Sequence, residues 1–190
     1  IEIFLERLVP TFPETERVVI AGVSAGGFGS FLNFDPIARA FGGVRVDVID
    51  DSGPPIPRKE GPAPSNGFGG VWQYVAPQGC ADCGSIPKIF DYVRTLQPGS
   101  RYGLLTYQAD TTIAPGFGYA LDEFPAAIDA FETHIVGDPN AHTFVVENDY
   151  SSGEKAHVVM NEVPFEPQYM PWIVDMVSDD AQWGNHTLTP

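Results

Sequence analysis

The chain has 190 residues, 43% of them hydrophobic and 18% charged, which is enough apolar material for the core of one globular domain. Its formal net charge is -15, and such a charge argues against nucleic acid or an anionic membrane surface as the main partner, because basic patches bind phosphate groups. No apolar run approaches the roughly 18–20 residues of a membrane-spanning helix, so we expect no membrane span.

The spacing of apolar residues predicts helices that alternate with short strands. In chain order we expect a helix at 1–9 that Pro10 and Pro13 stop, a strand at 17–22, a helix through 32, a helix from 35 to about 41, a strand at 44–49, a helix at 86–96, a strand at 102–107, a helix at 119–136 interrupted near Pro125, a strand at 142–147 and a helix at 169–177. The inner strands are apolar on both faces. This pattern is typical of an α/β fold with a mainly parallel sheet flanked by helices.

A long segment, residues 51–85, separates the second strand from the next helix and is rich in Pro, Gly and Ser. Connections in compact domains are usually about 4–6 residues long, and much longer ones are often lids or binding loops. We therefore interpret 51–85 as a surface loop or lid inserted within a single domain that spans 1–190.

Residues Gly22 to Gly26 match the pentapeptide Gly-x-Ser-x-Gly, with a predicted strand before it and a predicted helix after it. In that context a serine stands on a sharp turn, and its neighbours two positions away must lack bulk. Ser24 is thus the candidate nucleophile, and the amide of Ala25, at a helix N-terminus, is the candidate donor to an oxyanion. The alternative is an idle serine or a phosphate-binding loop, but the segment lacks the Lys-Ser/Thr of a P-loop.

A serine nucleophile needs a base, and the base needs an orienting carboxylate. In α/β-hydrolase topology these residues follow in the order serine, acid, histidine, each just beyond a strand. Asp110 lies three residues beyond the third predicted strand, where the acid is expected. Asp50 and Asp51, which follow the second strand, remain alternatives. Asp51 is also well placed to cap a turn with its side chain.

Elimination among the four histidines favours His157 as the base. A glycine-containing loop leads to it from the fourth predicted strand. The other three lie within a helix, at the opposite edge of the sheet and in the C-terminal tail, and are respectively His134, His142 and His186.

Together these segments resemble the pectin acetylesterase family, which also includes the animal carboxylesterases that remove a lipid from Wnt proteins. The resemblance extends from about Arg17 to Trp183. Its specific parts are Ser-Ala-Gly-Gly from Ser24 with Asn33 downstream, the Asp-Ser-Gly turn at 51–53, and Asp-x-x-Ile at 110–113.

The resemblance implies that Ser24, Asp110 and His157 are the family's triad. The implied activity is hydrolysis of an ester, with an acetyl group on a polysaccharide such as pectin as a candidate substrate. We expect no cofactor and no metal. Two features depart from the family. Val158 stands where members usually carry a Cys, and the chain has no Gly-rich, Trp-containing oxyanion loop before its serine.

An α/β-hydrolase sheet normally places several strands before its serine, whereas this chain reaches Ser24 after one predicted strand. We therefore expect that the N-terminal strands are absent from this chain, which would then hold the C-terminal two-thirds or so of a catalytic domain. An upstream segment of the same protein is accordingly an expected partner.

The long loop carries two further kinds of candidate residue. Trp72 and Tyr74 could stack on a sugar ring or an aryl group, and the alternative is that they are half-buried anchors. Cys80 and Cys83 are the only cysteines. A zinc site would need two more ligands, so we expect a local disulfide or pairing with cysteines outside the chain.

The hypothesis from sequence is a secreted serine esterase whose partner is an ester substrate. Its few lysines and many aspartates favour an extracellular location. One alternative is a hydrolase of longer acyl chains or synthetic polyesters with the same triad. Another is a catalytically silent carbohydrate-binding relative.

Overall fold

The computed structural model describes residues 1–59 and 74–189. In these ranges the chain forms five strands and seven α-helices, with three short 3-10 turns after the fourth strand. The elements are α1 (Glu2–Thr11), β1 (Arg17–Val23), α2 (Ala25–Leu32), α3 (Phe34–Ala40), β2 (Arg45–Asp51), α4 (Ile86–Leu96), β3 (Tyr102–Tyr107), α5 (Ile113–Gly116), α6 (Phe124–Ile135), β4 (Ala141–Val146), the turns Tyr150–Ser152, Val159–Asn161 and Val163–Phe165, α7 (Glu166–Val177) and β5 (His186–Leu188).

The five strands form one sheet in the order β1-β2-β3-β4-β5, and every neighbouring pair is parallel. The predicted α/β fold, with a parallel sheet flanked by helices, is confirmed at that level. Parallel neighbours need crossover connections, so all five strands end at the same edge of the sheet. The loops that leave this edge are therefore brought together, although they are far apart in the sequence.

Alternate residues of each strand point to opposite sides, and both faces are covered at the inner strands β2, β3 and β4. At the edge strand β1, Val19 and Val23 are exposed on one face. One face packs against α2, α3, α4 and α6, where Val48 and Leu104 join a large apolar cluster. The other face packs against α7, where Leu105 and Phe144 meet Trp172. The continuous apolar runs of the inner strands are explained by this double burial.

Three predicted boundaries are corrected by the structure. The helix expected at 119–136 begins at Phe124, because Pro125 stands in its first turn, where the missing N–H costs nothing, and does not interrupt it. The last helix begins at Glu166 for the same reason, with a Pro in its first turn. Helix α1 includes Pro10 and ends at Thr11.

Two further corrections concern the C-terminal strand β5 and the segment that follows β2. His186, expected in the tail, begins β5, which has three residues and lacks an apolar run that would have marked it. Strand β2 continues to Asp51, and residues 51–56 are buried, so the first part of the predicted surface loop 51–85 belongs to the interior. No helix among the described residues is long and apolar enough to cross a membrane.

Asp50, near the end of β2, is a fully buried carboxyl group. It accepts hydrogen bonds from the Tyr102 hydroxyl at 2.7 Å and from the Gly53 amide at 2.9 Å. Burial nevertheless raises the pKa of the Asp50 carboxyl well above its ordinary value. The folded protein therefore keeps a proton that the unfolded chain releases at a pH of about 4. Stability should fall as the pH rises from there towards the folded pKa.

We expect Asp50→Asn to flatten this pH dependence. The amide oxygen can accept the Gly53 amide, and the amide NH₂ can donate to the Tyr102 hydroxyl oxygen. Because the amide never ionises, the variant should gain on the wild type between pH 4 and pH 8. For a domain of this size, each kcal/mol of removed ionisation cost should appear as about 2–4 °C in Tm. Thermal unfolding of both proteins across this range checks the idea, and parallel Tm curves would contradict it.

Candidate active site

Ser24 occupies the sharp turn between β1 and α2 that the sequence predicts. Its backbone has φ 54 and ψ -118, and a non-glycine residue keeps a positive φ only when its surroundings hold it there. The Ser24 amide donates a 2.7 Å hydrogen bond to the carbonyl of Asp51, at the end of β2. Although Ser24 is the N-cap residue of α2, its hydroxyl makes no capping bond. The hydroxyl is therefore available to a partner outside the helix.

Two glycines allow the backbone to pack closely around this turn. A Cβ at Gly22 would lie 1.9 Å from the carbonyl oxygen of Gly26, and a Cβ at Gly27 would lie 2.2 Å from Asp50 Oδ1. A Cβ at Gly26 would meet nothing within 4 Å. The prediction that both residues two positions from the serine must lack bulk is correct for Gly22. It is wrong for Gly26, because Gly27 is the residue that faces β2.

His157 links Ser24 to Asp110. Its Nε2 lies 2.8 Å from Ser24 Oγ, and its Nδ1 lies 2.8 Å from Asp110 Oδ2. With the proton on Nδ1, the ring donates to the carboxylate and accepts the serine hydroxyl. Asp110 Oδ1 accepts the amides of Thr112 and Ile113, both at 2.8 Å, which fixes the orientation of the carboxylate. The structure thus brings the three predicted residues into one hydrogen-bonded array.

The three residues of the array differ in their exposure to solvent. The Asp110 side chain is fully buried, whereas the side chain of His157 is 20% exposed and Ser24 is partly exposed. Ala25 is the first residue of α2, and first-turn amides have no acceptor within their own helix. An N–H donor is therefore placed directly after the serine, as predicted.

Two pairs of hydrogen bonds connect the loops, and the sequence analysis did not predict them. Thr111, next to the carboxylate, and Ala156, next to the histidine, are joined by Thr111 N–H to Ala156 O at 2.9 Å and by Ala156 N–H to Thr111 Oγ1 at 3.1 Å. The Asn148 side chain accepts the Ala109 amide at 2.9 Å and donates to the Ala109 carbonyl at 3.1 Å. These pairs are 45 and 39 residues apart, so no local pattern marks them.

Asp51, the alternative acid, does not contact the histidine ring through a hydrogen bond. Its carboxylate accepts the amide of Val159 at 2.9 Å and the amide of Met160 at 2.8 Å. Burial raises the pKa of the Asp51 carboxyl above its ordinary value, while these amides and the nearby His157 act in the opposite direction. The structure therefore gives the histidine contact to Asp110 and a different set of partners to Asp51.

The sequence offered Trp72 and Tyr74 as candidate substrate contacts, and the structure describes only the second. Trp72 is outside the described residues. Tyr74 is half-buried and packs against the large apolar cluster. Its hydroxyl is buried and has no hydrogen-bond partner among the described residues. Burial, together with the charge of Asp35, raises the pKa of Tyr74 to about 12. In this position Tyr74 anchors the chain beside α3.

The two cysteines form a disulfide with each other. Cys80 and Cys83 have Cα atoms 5.7 Å apart, and no free cysteine is present in the described ranges. Of the two pairings that the sequence left open, the structure shows the local one.

Comparison with known proteins assigns no family to this chain. A scan against protein-family models finds no match to the chain, and a search of curated proteins finds no significant relative.

The close approach at the turn leads to a matched pair of variants. We expect Gly27→Ala to lower Tm by several degrees or to prevent folding, because the new methyl group would overlap Asp50 and the end of β2. Gly26→Ala should leave Tm unchanged or raise it, because its methyl group has open space and alanine favours a helix by about 0.5–1 kcal/mol over glycine. Thermal unfolding of the two variants checks this, and an equal effect on Tm would contradict it.

Proposed function

We propose that the protein is a serine esterase with an α/β-hydrolase-like fold. The single observation that carries this proposal is the Ser24–His157–Asp110 array at the carboxyl edge of a parallel sheet, with the serine on a strand-to-helix turn. The order of these residues along the chain is the one expected for that fold. The resemblance to the pectin acetylesterase family supports the same reading.

The acylation step follows from the two 2.8 Å contacts of the histidine. His157 Nε2 takes the hydroxyl proton as Ser24 Oγ attacks the ester carbonyl, and the ring becomes an imidazolium. Asp110, held by two backbone amides, keeps the ring in the required tautomer and stabilises its positive charge. The imidazolium then gives its proton to the departing alkoxide, which leaves an acyl group on Ser24.

The negative charge on the tetrahedral oxygen needs a donor close to the serine. The amide of Ala25 begins α2 and lies at the positive end of the helix, so it provides one such donor without rearrangement. Water, activated by the same histidine, then releases the acid and restores the serine hydroxyl. Every proton in this cycle moves through His157.

An acetyl ester of a polysaccharide is the substrate class that we propose, and a secreted protein is the corresponding location. Both proposals come from the family resemblance, and the acidic, lysine-poor composition supports the second. A short acyl group on an aryl leaving group is the appropriate first substrate, because it tests the triad without testing the choice of sugar.

Ser24→Ala should reduce kcat/KM for a short-chain aryl acetate by about 10⁴-fold or more, because it removes the attacking atom. Tm should change little, since the turn keeps its backbone bonds. Ser178→Ala is a matched control, because this exposed serine only donates to Val174 at the end of α7. Undiminished turnover in Ser24→Ala would refute the proposal.

Covalent labelling gives an independent check of the same assignment. A fluorophosphonate should label Ser24, and peptide mass mapping should find the adduct there. His157→Ala should suppress the labelling, because the hydroxyl then lacks its base. A silent binding protein would remain unlabelled, and an adduct on another residue would exclude Ser24 as the nucleophile.

Asp110→Asn should lower kcat strongly while Ser24 and His157 stay in place. The corresponding change in serine proteases costs about 10⁴ in kcat, because the amide favours the wrong histidine tautomer. KM should change much less, since the side chain is buried and does not face the substrate. Steady-state kinetics on the aryl acetate decides the matter, and a kcat close to that of the wild type would remove Asp110 from the mechanism.

A further inference from the structure

We propose that Asp51, assisted by Ser52, is the positioning residue that fixes His157 against Ser24. This inference rests on the proposed function for its catalytic consequence, although its geometric part can be tested separately. The Asp51 side chain is fully buried and forms its hydrogen bonds with Ser52, Val159 and Met160 rather than with the histidine ring. Asp51 acts through the backbone on both sides of the Ser24–His157 contact.

The main chain of Asp51 holds the serine. Strands β1 and β2 pair in parallel up to Val23 and Asp51. The Asp51 carbonyl then accepts the amide of Ser24 at 2.7 Å. Ser24 is the residue that follows the last paired residue of β1. Because Ser24 has a positive φ, this bond helps to retain a backbone conformation that is otherwise unfavourable. The hydrogen bond to the Asp51 carbonyl therefore fixes the position of the Ser24 backbone relative to β2.

The side chains of Asp51 and Ser52 hold the segment that follows the histidine. Asp51 accepts the amides of Val159 and Met160 at 2.9 and 2.8 Å. Ser52 Oγ accepts the Val158 amide at 3.0 Å and donates to Asp51 Oδ1 at 2.9 Å. Three consecutive amides after His157 are thus satisfied by two adjacent side chains, both fully buried.

The segment needs these external acceptors. Val158 has a φ of 63, which is a rare conformation for a β-branched residue. Val158 and Val159 are also buried, and a buried amide without an acceptor is strongly unfavourable. Without the Asp51 and Ser52 acceptors, the backbone after His157 would have to move, and the imidazole would move with it.

Both oxygens of the Asp51 carboxylate are used by these donors, and this separates its role from that of Asp110. Oδ1 receives the Ser52 hydroxyl and the Val159 amide, while Oδ2 receives the Met160 amide. The Nδ1 of the histidine instead lies 2.8 Å from Asp110 Oδ2. The Asp51 carbonyl fixes the serine and the Asp51 carboxylate fixes the base, so one residue determines the distance between them.

Two variants test the proposal in graded steps. In Asp51→Asn, an amide NH₂ replaces one acceptor and faces a backbone N–H, so one contact becomes repulsive. In Ser52→Ala, the hydroxyl that accepts the Val158 amide and donates to Asp51 is lost, while the Val159 and Met160 amides keep their bonds to Asp51. Asp50→Asn is the matched control, because Asp50 is equally buried in the same strand but points to the opposite face, towards Tyr102.

We expect kcat for the aryl acetate to fall by about 10²-fold in Asp51→Asn, as for a displacement of about 1 Å between reacting groups. KM should stay the same, and fluorophosphonate labelling of Ser24 should slow in parallel. Ser52→Ala should show a smaller loss of kcat, and Asp50→Asn should keep turnover close to that of the wild type. The Ser52 variant also keeps the proposal testable if Asp51→Asn does not fold.

Two NMR measurements report the geometry without any turnover. Amide exchange at Val159 and Met160 should become faster in Asp51→Asn than in Asp50→Asn. The downfield Nδ1–H resonance of His157, which reports its bond to Asp110, should weaken or broaden. A purely structural role would lower Tm and leave this resonance in place.

The outcomes separate the two proposals. If Asp51→Asn keeps the kcat, the amide protection and the His157 resonance of the wild type, the positioning role is wrong. If the wild type itself neither hydrolyses the ester nor labels at Ser24, the proposed function is wrong. In that case the amide exchange and the His157 resonance still decide whether Asp51 positions the histidine.

Discussion

The backbone turn at Ser24 is the constraint on which the rest of the candidate site depends. A serine with φ 54 persists only if the surrounding structure compensates for its strain. Here the compensation comes from the hydrogen bond to the Asp51 carbonyl and from the close packing that Gly22 and Gly27 permit. The turn directs the hydroxyl out of the sheet, and its partners must then be built around a point that β1 and β2 define together.

The all-parallel sheet supplies those partners. Because every strand ends at one edge, the loops after β3 and β4 arrive beside the serine carrying Asp110 and His157. The loop that carries the histidine is then held on both sides of it. Ala156 bonds Thr111 in the loop after β3, and Met160 bonds Asp51 at the end of β2. The imidazole is thus held by its chain on both sides as well as by its ring nitrogens. Such double support is what a site needs if its distances are to be kept.

The adjacent carboxylates Asp50 and Asp51 contact opposite faces of the sheet. Side chains alternate across a strand, so Asp50 points to the face of the helix α2, where it meets Tyr102, and Asp51 points to the opposite face, where it meets the segment after the histidine. Burial raises the pKa of both groups. Hydrogen-bond donors act against this rise in each case. Two of the three Asp51 donors are main-chain amides, which cannot move away without rearranging the loop.

The sequence determined what depends on short-range pattern. Apolar periodicity predicted the α/β class, and the pentapeptide in its strand-turn-helix context identified Ser24, since the constraint on that turn lies within six residues. Position just beyond a strand favoured Asp110 as the acid, and elimination among the four histidines favoured His157 as the base. Only the tertiary structure decided which acid meets the histidine, that Gly27 rather than Gly26 must lack a side chain, and that Asp51 contacts the Val159 amide. The short strand β5 likewise depends on pairing with β4. The physical reason is that strand register and side-chain facing bring together residues distant in the sequence, and no local pattern records which of them meet.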